Sequence, residues 1–206
     1  MSGNLNLPNK ITVGRLGLAI VFFVLLSQYS HGSAPAWLLD ASAVVFVVAA
    51  ATDFLDGYLA RKHGQITALG KILDPLVDKV LVCGAFILFI GAGFVDEAGR
   101  NVTEVQAWMV VVIVGRELLV TGLRGFNASM GKSFGASLHG KVKMWTQSIA
   151  VPVILVLIAH EDGLSLGAAA GWIKAIVVWL TVAATLLSMW QYLTHARYIL
   201  DESIAE

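Results

Sequence analysis

The chain has 206 residues, with 14 Lys and Arg residues balanced by 14 Asp and Glu residues, so its formal net charge is zero. Hydrophobic residues make up 57% of it and charged residues only 14%, whereas an ordinary soluble domain has about 25% charged residues. This composition excludes an intrinsically disordered chain, which needs low hydrophobicity and high net charge. It also argues against a nucleic-acid-binding protein, which usually carries a basic excess. A mean hydropathy of +0.77 indicates a membrane protein with several spanning segments.

Six hydrophobic segments follow one another along the chain. They cover residues 11–29, 36–61, 71–95, 105–124, 138–160 and 167–197. Because a spanning helix needs about 20 residues, most of the unbroken apolar runs must extend into flanking sequence that carries charge. We therefore predict an all-α integral membrane protein with six transmembrane helices. It is expected to form a single domain over residues 1–206, with residues 1–10 as a short cytoplasmic segment.

The first segment also has features of a secretory signal peptide. Lys10 and Arg15 precede an apolar run, which is followed by small residues between Gly32 and Ala36. Five further hydrophobic segments favour a helix that is retained.

The charges are divided unequally between the two sides of the predicted membrane. If successive helices alternate in direction, one side holds twelve cations, namely Lys10, Arg15, Arg61, Lys62, Lys71, Lys79, Arg116, Arg124, Lys132, Lys141, Lys143 and Arg197. The links on the opposite side hold only Arg100, and Lys174 lies inside the sixth segment near that side. Since Lys and Arg concentrate on the cytoplasmic side of membrane proteins, both termini and the charged helix ends are expected to face the cytoplasm.

Acidic residues are concentrated across the second and third predicted helices. Asp53 and Asp56 are three positions apart and Asp74 and Asp78 are four apart, so each pair lies on one helix face. Two antiparallel helices joined by residues 62–70 would bring the four carboxylates together near the cytoplasmic interface. Oxygen ligands select hard cations, and shared Asp ligands suit two ions that clamp a phosphate. The pattern predicts Mg²⁺ or Mn²⁺, with two ions in the site.

Small residues and an arginine accompany these carboxylates. Gly57 and Ala60 leave room for a bulky group against the helix backbone, and Arg61 is a bidentate phosphate donor. Two alternatives exist. The aspartates could cap helix ends or pair with cations such as Lys79, or they could form the cation path of a transporter. A cation path should have acids at several depths, whereas these lie at one face.

These residues resemble the signature of the CDP-alcohol phosphotransferase family, Asp-x-x-Asp-Gly-x-x-Ala-Arg, eight residues, then Gly-x-x-x-Asp-x-x-x-Asp. The matching positions are Asp53, Asp56, Gly57, Ala60, Arg61, Gly70, Asp74 and Asp78. The resemblance implies that a substituted phosphate is transferred from a CDP-linked lipid to an alcohol, with release of CMP. It also implies that Asp53, Asp56 and Asp74 bind metal, and that Asp78 is both general base and metal ligand. The residues expected to bind CDP are Asp56, Gly57, Ala60, Arg61 and Gly70, with Asn9 and Thr12 as further candidates. Asn9 and Thr12 could instead cap the first helix.

Four cations on the fourth and fifth segments predict a pocket for the acceptor. Arg116, Arg124, Lys141 and Lys143 lie at cytoplasmic helix ends, where they would bind a phosphorylated alcohol. A neutral alcohol would not require them. The alternatives are binding of anionic lipid headgroups or a role in topology alone. For Arg116, which adjoins Glu117, function or internal pairing is favoured.

Three phrases are similar to those of bacterial phosphatidylglycerophosphate synthases. They are NLPNKITVGR at residues 6–15, RELLVTGLR at 116–124 and GKVKMWTQ at 140–147. This similarity implies sn-glycerol 3-phosphate as acceptor, phosphatidylglycerol phosphate as product, and a place in the bacterial inner membrane. Sister enzymes of the cardiolipin synthase or phosphatidylinositol-phosphate synthase type are the alternatives.

The predicted partners follow from this reading. They are CDP-diacylglycerol, sn-glycerol 3-phosphate, the product CMP and membrane lipids, with no nucleic acid. Gly167 and Gly171 form a small-xxx-small pair, which is compatible with close packing between the subunits of a homodimer.

Overall fold

The computed structural model describes residues 7–63, 68–129, 138–161 and 168–205, with side chains over 12–52, 76–127, 140–161 and 168–194. These parts of the chain form six α-helices, which are α1 (Leu7–Ser27), α2 (Trp37–His63), α3 (Ala68–Phe89), α4 (Ala107–Ser129), α5 (Leu138–Ala159) and α6 (Ala168–Ala205). A short 3-10 helix, Ala92–Phe94, follows α3. The prediction of an all-α chain with six helices is confirmed.

Several helix ends differ from the predicted segments. α1 begins at Leu7, so the helix includes the last four residues of the segment predicted to precede it. α3 ends at Phe89, although the apolar run continues to Val95. α4 continues to Ser129 and α6 to Ala205, because polar residues at the end of a segment do not by themselves stop a helix.

Contacts between helix ends show that the helices alternate in direction. The backbone N–H of His31, after α1, donates to the carbonyl of Gly93, after α3, at 2.9 Å. The imidazole Nδ1 of His160, after α5, lies 3.6 Å from the carboxylate of Asp40 in the first turn of α2. The ends of α1, α3 and α5 therefore meet the beginning of α2 on one side of the bundle, which is the arrangement that the charge count assumed.

The same side contains a partly buried polar cluster. Lys174 near the start of α6 is buried and lies 3.6 Å from the carboxylate of Glu161. Tyr29 is also buried, and its hydroxyl hydrogen-bonds to Nδ1 of His31 at 3.2 Å. Burial, and then the negative charge of Glu161, raise the pKa of Tyr29. At this end of the bundle the ion pair of Lys174 and Glu161 thus joins the start of α6 to the residues after α5, with Tyr29 within electrostatic range of Glu161.

The loop between α3 and α4 is folded back on the end of α3. The carboxylate of Asp96 accepts the backbone N–H groups of Ala98 and Arg100 at 2.9 and 2.8 Å and pairs with the Arg100 guanidinium. These hydrogen bonds, the one from the Arg100 backbone first, lower the pKa of Asp96. Asn101 donates from Nδ2 to the carbonyl of Phe89 at 2.7 Å, which satisfies one of the carbonyls left open at a helix end.

The core contains buried residues of all six helices and is rich in aromatic rings. Phe22 of α1 packs against Phe46 of α2 with ring centroids 5.5 Å apart, and Phe86 meets Phe89 within α3. α1 packs on α2 and α3, α2 packs on α5, and α6 packs on both α5 and α4. α3 also contacts α2, α4 and α5, so the helix that carries Asp78 touches each of the other helices that carry predicted site residues.

The outward faces of the helices are apolar. Val111, Trp172 and Trp190 are each at least 70% exposed, and such large exposed apolar surface indicates contact with lipid or protein rather than water. Two helical stretches, Gly140–Ala159 and Ala168–Thr194, are long and apolar enough to cross a membrane, and Thr12–Ser27 and Trp37–Thr52 are shorter apolar helices. These features indicate a membrane protein.

Candidate active site

The predicted aspartate motif lies on two adjacent helices. Its first five positions, Asp53, Asp56, Gly57, Ala60 and Arg61, lie on the C-terminal part of α2, and its last three, Gly70, Asp74 and Asp78, lie on α3. α2 and α3 pack against each other and are separated in sequence by residues 64–67. The helical placement on which the spacing argument rests is therefore correct. The side chains from Asp53 to Asp74 lie outside the described residues, so their assignment as metal and CDP ligands stays a prediction.

The residue types of the motif fit a hard divalent cation, since carboxylate oxygens are the ligands that Mg²⁺ and Mn²⁺ prefer. Among the side chains that the structure describes, no three His, Cys, Asp or Glu residues come together as a metal-binding group. Of the four predicted ligands, Asp78 alone belongs to that described set.

Asp78 lines an open cavity of about 400 Å³ between α2, α3 and α5. The wall from α2 consists of Val47, Ala50 and Ala51, which lie within the two turns of helix before the first aspartate of the motif. The wall from α5 consists of Met144, Trp145, Ser148 and Ile149. A carboxylate in a largely apolar cavity at the outer surface of the helices suits a ligand with a polar head and apolar chains.

One of the predicted acceptor-binding cations lies near Asp78. Lys143 on α5 is buried and lies within electrostatic range of Asp78 on α3. A second cavity, of about 290 Å³, opens between α3 and α4 and is lined by Lys79, Cys83, Glu117 and Thr121, among others. Of the predicted acceptor-binding cations, Lys143 is thus the one that the described residues place within electrostatic range of Asp78, and the joint pocket stays a prediction.

Three charged side chains form a buried cluster in this region, which we call the Glu117 cluster: Arg116, Glu117 and Lys143. Oε1 of Glu117 accepts a hydrogen bond from Nη1 of Arg116 at 3.2 Å and pairs with Nζ of Lys143. The side chains are only 6%, 6% and 8% exposed. The cluster has a net charge of one positive unit, which favours an anion next to it.

Two residues of α6 complete the surroundings of the arginines. Nη2 of Arg116 donates to Oγ of Ser188, and Nη2 of Arg124 donates to the hydroxyl of Tyr192. Both guanidinium groups also lie over the Tyr192 ring, at 5.5 Å for Arg116 and 5.2 Å for Arg124, within the range of a cation–π interaction. Arg116 and Arg124 are thereby held on the same side of α4 by α6.

Lys141 is not part of this arrangement. It is exposed, whereas Lys143, two residues later, is buried. Two residues along an α-helix turn a side chain by about 200°, so the two lysines point in nearly opposite directions. The other three predicted acceptor-binding cations share partners: Arg116 and Lys143 contact Glu117, and Arg116 and Arg124 contact Tyr192.

The beginning of α1 contains buried polar residues. Thr12 and Arg15 are 2% and 1% exposed, and their spacing puts them on one helix face. Asn9 lies inside the first turns of α1 rather than before the helix, and its side chain lies outside the described residues. Arg15 was not predicted as a site residue, although a cation inside an apolar segment is itself a functional signal.

Ser188 and Tyr192 were not predicted. With Thr181 and Thr185 they form a stripe of buried polar residues along α6, each at most 3% exposed. Their offsets of four, three and four positions place them on one helix face. Polar residues at this spacing within an apolar segment could have identified the face of α6 that meets the site.

The fold and the motif define a membrane-associated transferase class, and comparison with known proteins agrees. Residues 5–189 match the CDP-alcohol phosphatidyltransferase family, and the chain belongs to this family. This confirms the resemblance that the aspartate signature indicated.

Named relatives are similar over nearly the whole chain. The CDP-diacylglycerol–glycerol-3-phosphate 3-phosphatidyltransferase of Bacillus subtilis is 37% identical over 195 residues, covering 91% of this chain and 93% of the relative. Proteins of the same name from Pseudomonas fluorescens and Rickettsia felis are 34% and 33% identical, covering 93% and 91% of this chain and 90% and 93% of the relatives.

Proposed function

We propose that the chain is a CDP-diacylglycerol–glycerol-3-phosphate 3-phosphatidyltransferase. It transfers the phosphatidyl group from CDP-diacylglycerol to sn-glycerol 3-phosphate and yields phosphatidylglycerol phosphate and CMP, in the biosynthesis of phosphatidylglycerol and cardiolipin. The observation that carries this proposal is the similarity, over at least nine-tenths of both chains, to relatives with that name. The buried cation Lys143, within electrostatic range of Asp78 and paired with Glu117 beside Arg116, supports a phosphorylated acceptor over a neutral one.

The donor lipid would lie across the cavity between α2, α3 and α5. Its acyl chains would remain in the bilayer beside the apolar wall that includes Val47 and Ile149. Its CDP moiety would rest on the motif residues of α2 and α3, which are Asp56, Gly57, Ala60, Arg61 and Gly70, with Asn9 and Thr12 nearby. Divalent ions bound by Asp53, Asp56, Asp74 and Asp78 would offset the negative charge of the diphosphate and of departing CMP.

Asp78 is the proposed general base. Its carboxylate takes the proton of the acceptor hydroxyl, which is a poor nucleophile at neutral pH. The acceptor oxygen then forms a bond to the phosphorus that carries diacylglycerol, and the bond from that phosphorus to the oxygen of CMP breaks. Because Asp78 is partly exposed to the cavity, the substrate hydroxyl can reach it.

The acceptor's phosphate is proposed to bind next to the Glu117 cluster. Arg116 and Lys143 both contact Glu117 there, and Arg116 and Arg124 both lie over the ring of Tyr192. Lys143 is also within electrostatic range of Asp78. A short acceptor could therefore place its phosphate at the cations and its hydroxyl at the base. Lys141, exposed on the other face of α5, would act only from the rim or on lipid headgroups.

The same proposal includes the membrane arrangement. All six helices would span the bacterial inner membrane, with both termini and the active site on the cytoplasmic side, as the distribution of cations favours. A homodimer is compatible with Gly171, since a side chain there would meet open space within this chain.

The function is tested with the purified full chain in detergent, CDP-diacylglycerol and labelled sn-glycerol 3-phosphate. We expect labelled phosphatidylglycerol phosphate and equimolar CMP with Mg²⁺ or Mn²⁺ and neither product after chelation. An acceptor series at fixed donor, with glycerol, phosphatidylglycerol and inositol phosphate, distinguishes the sister enzymes. Preference for either of the last two would overturn the acceptor assignment, and cation flux in liposomes without CMP release would indicate a transporter.

A further inference from the structure

We infer that Ser188 of α6 is an acceptor-binding residue, and that its hydroxyl and one edge of the Arg116 guanidinium together bind the acceptor's phosphate. The inference rests on the proposed function, because it assigns a further residue to the acceptor pocket of that reaction. It concerns a helix on which the sequence motifs place no functional residue.

The first argument comes from the hydrogen bonds of Arg116. Its side chain is 6% exposed, so its five N–H donors need partners within the protein or from a ligand. Nη1 donates to Oε1 of Glu117 and Nη2 donates to Oγ of Ser188. Nε is buried, and among the described residues it has no hydrogen-bond partner. A buried donor without an acceptor is unfavourable, so the position calls for an acceptor atom from a ligand.

The second argument is the geometry of the guanidinium group. Nε and Nη2 lie on one edge of the planar fork, and this edge matches two oxygens of a phosphate. Glu117 binds Nη1, at the opposite end of the fork, and can stay there when an anion binds. Glu117 therefore orients Arg116 and Lys143 without competing for the edge that faces Ser188.

The third argument is the chemistry of the serine hydroxyl. Ser188 is fully buried, and its oxygen accepts from Arg116. A hydroxyl that accepts one hydrogen bond still has its own proton to donate, and a phosphate oxygen at the Nε–Nη2 edge lies next to it. Three donors would then converge on one anion: Nε, Nη2 and the Ser188 hydroxyl.

The variant Ser188→Ala removes the hydroxyl and leaves Arg116 in place. The matched control is Ser42→Ala, since Ser42 is equally buried within a helix but donates to the carbonyl of Leu38 in its own helix, at 2.7 Å. We expect Ser188→Ala to raise the KM for sn-glycerol 3-phosphate about tenfold, the effect of losing a hydrogen bond to a charged group. The KM for CDP-diacylglycerol should change less than about twofold, and Ser42→Ala should leave both values unchanged.

A rescue variant and a binding measurement separate this role from simple packing. Ser188→Thr keeps a hydroxyl and should restore the KM for sn-glycerol 3-phosphate to within about threefold. Without CDP-diacylglycerol, inorganic phosphate should raise the thermal unfolding temperature of the unmodified chain more than that of Ser188→Ala. Should Ser188→Ala yield too little folded protein, Ser188→Cys is measured under the same criteria.

The inference is overturned if Ser188→Ala, or Ser188→Cys in its place, binds the acceptor with an unchanged KM. It is equally overturned if the KM values of both substrates rise together, because that result indicates a structural role. Failure of the proposed function has a different signature, since the unmodified chain would then release no CMP with sn-glycerol 3-phosphate.

Discussion

Lys143 of α5 and Glu117 of α4 form an ion pair in which both side chains are more than nine-tenths buried. The same oxygen of Glu117 also accepts from Arg116, its neighbour on α4. One carboxylate thus compensates two buried cations. Removing one partner of a buried pair is much more costly than the net contribution of the pair, because the remaining charge is left uncompensated.

The variant Glu117→Gln should therefore be strongly destabilised. We expect the free energy of unfolding to fall by about 3 kcal/mol, measured by thermal unfolding in detergent. Glu97→Gln is the control, because Glu97 is exposed in the loop between α3 and α4 and should change stability by less than about 0.5 kcal/mol. Equal unfolding temperatures for the two variants would show that the buried cations do not depend on Glu117.

Asp78→Asn tests the general base. The amide has nearly the same shape as the carboxylate but cannot accept the proton, so kcat should fall by at least about 100-fold while the protein remains folded. Asp40→Asn provides the control at the other end of the bundle, where Asp40 is 41% exposed and near His160. Turnover within tenfold of the unmodified chain in Asp78→Asn would reject the assignment.

Tyr192 is predicted to position both arginines of the acceptor pocket. Tyr192→Phe keeps the ring under Arg116 and Arg124 and removes the hydroxyl that accepts from Arg124, so the KM for sn-glycerol 3-phosphate should rise about threefold to fivefold. Tyr192→Leu also removes both cation–π contacts and should raise it further, by about tenfold or more. The KM values for sn-glycerol 3-phosphate of Tyr192→Phe and Tyr192→Leu are compared. Similar KM values for the two variants would contradict a role for the ring.

The order of the helices could be predicted because hydropathy and motif spacing are properties of local sequence. Asp53 to Arg61 and Gly70 to Asp78 match the family signature in residue and spacing, and both runs lie on helices where the pattern requires them. The family assignment followed from these residue types at this spacing, and it is confirmed.

The contacts that complete the pocket could not be predicted in this way. Ser188 is 72 positions from Arg116, and Tyr192 is 68 positions from Arg124. Which face of α6 meets α4 is decided by tertiary packing, and hydropathy does not specify it. The same holds for Lys141 and Lys143, which are neighbours in sequence but lie on opposite faces of α5.

The end of α3 was misjudged for a related reason. The apolar run continues past Phe89, but the chain turns there and passes close to α1. A side chain at Gly93 would collide with the backbone carbonyl of Tyr29, so the chain can approach α1 this closely only with glycine at that position. Composition alone does not reveal such a contact.

Asn101 holds this turn in place by hydrogen bonds. Its replacement should lower the stability of the protein without changing its catalytic activity. Nδ2 of Asn101 caps the carbonyl of Phe89, and Oδ1 accepts the backbone N–H of Thr103 at 2.8 Å and its hydroxyl at 2.6 Å. Asn101→Ala removes these three hydrogen bonds, leaves the Phe89 carbonyl with the longer one from the Thr103 hydroxyl at 3.3 Å, and should lower the free energy of unfolding by about 1–3 kcal/mol. Glu97→Ala, in the same loop but exposed, should have little effect.

Below the unfolding temperature, Asn101→Ala should retain the KM values and kcat of the unmodified chain. Phe89 is eleven residues beyond Asp78 on α3, which corresponds to about 16 Å along the helix axis, so the loop does not reach the reacting groups. Thermal unfolding and steady-state kinetics on the same preparation make the comparison. A lower kcat at a temperature where Asn101→Ala is fully folded would show that the end of α3 controls the position of Asp78.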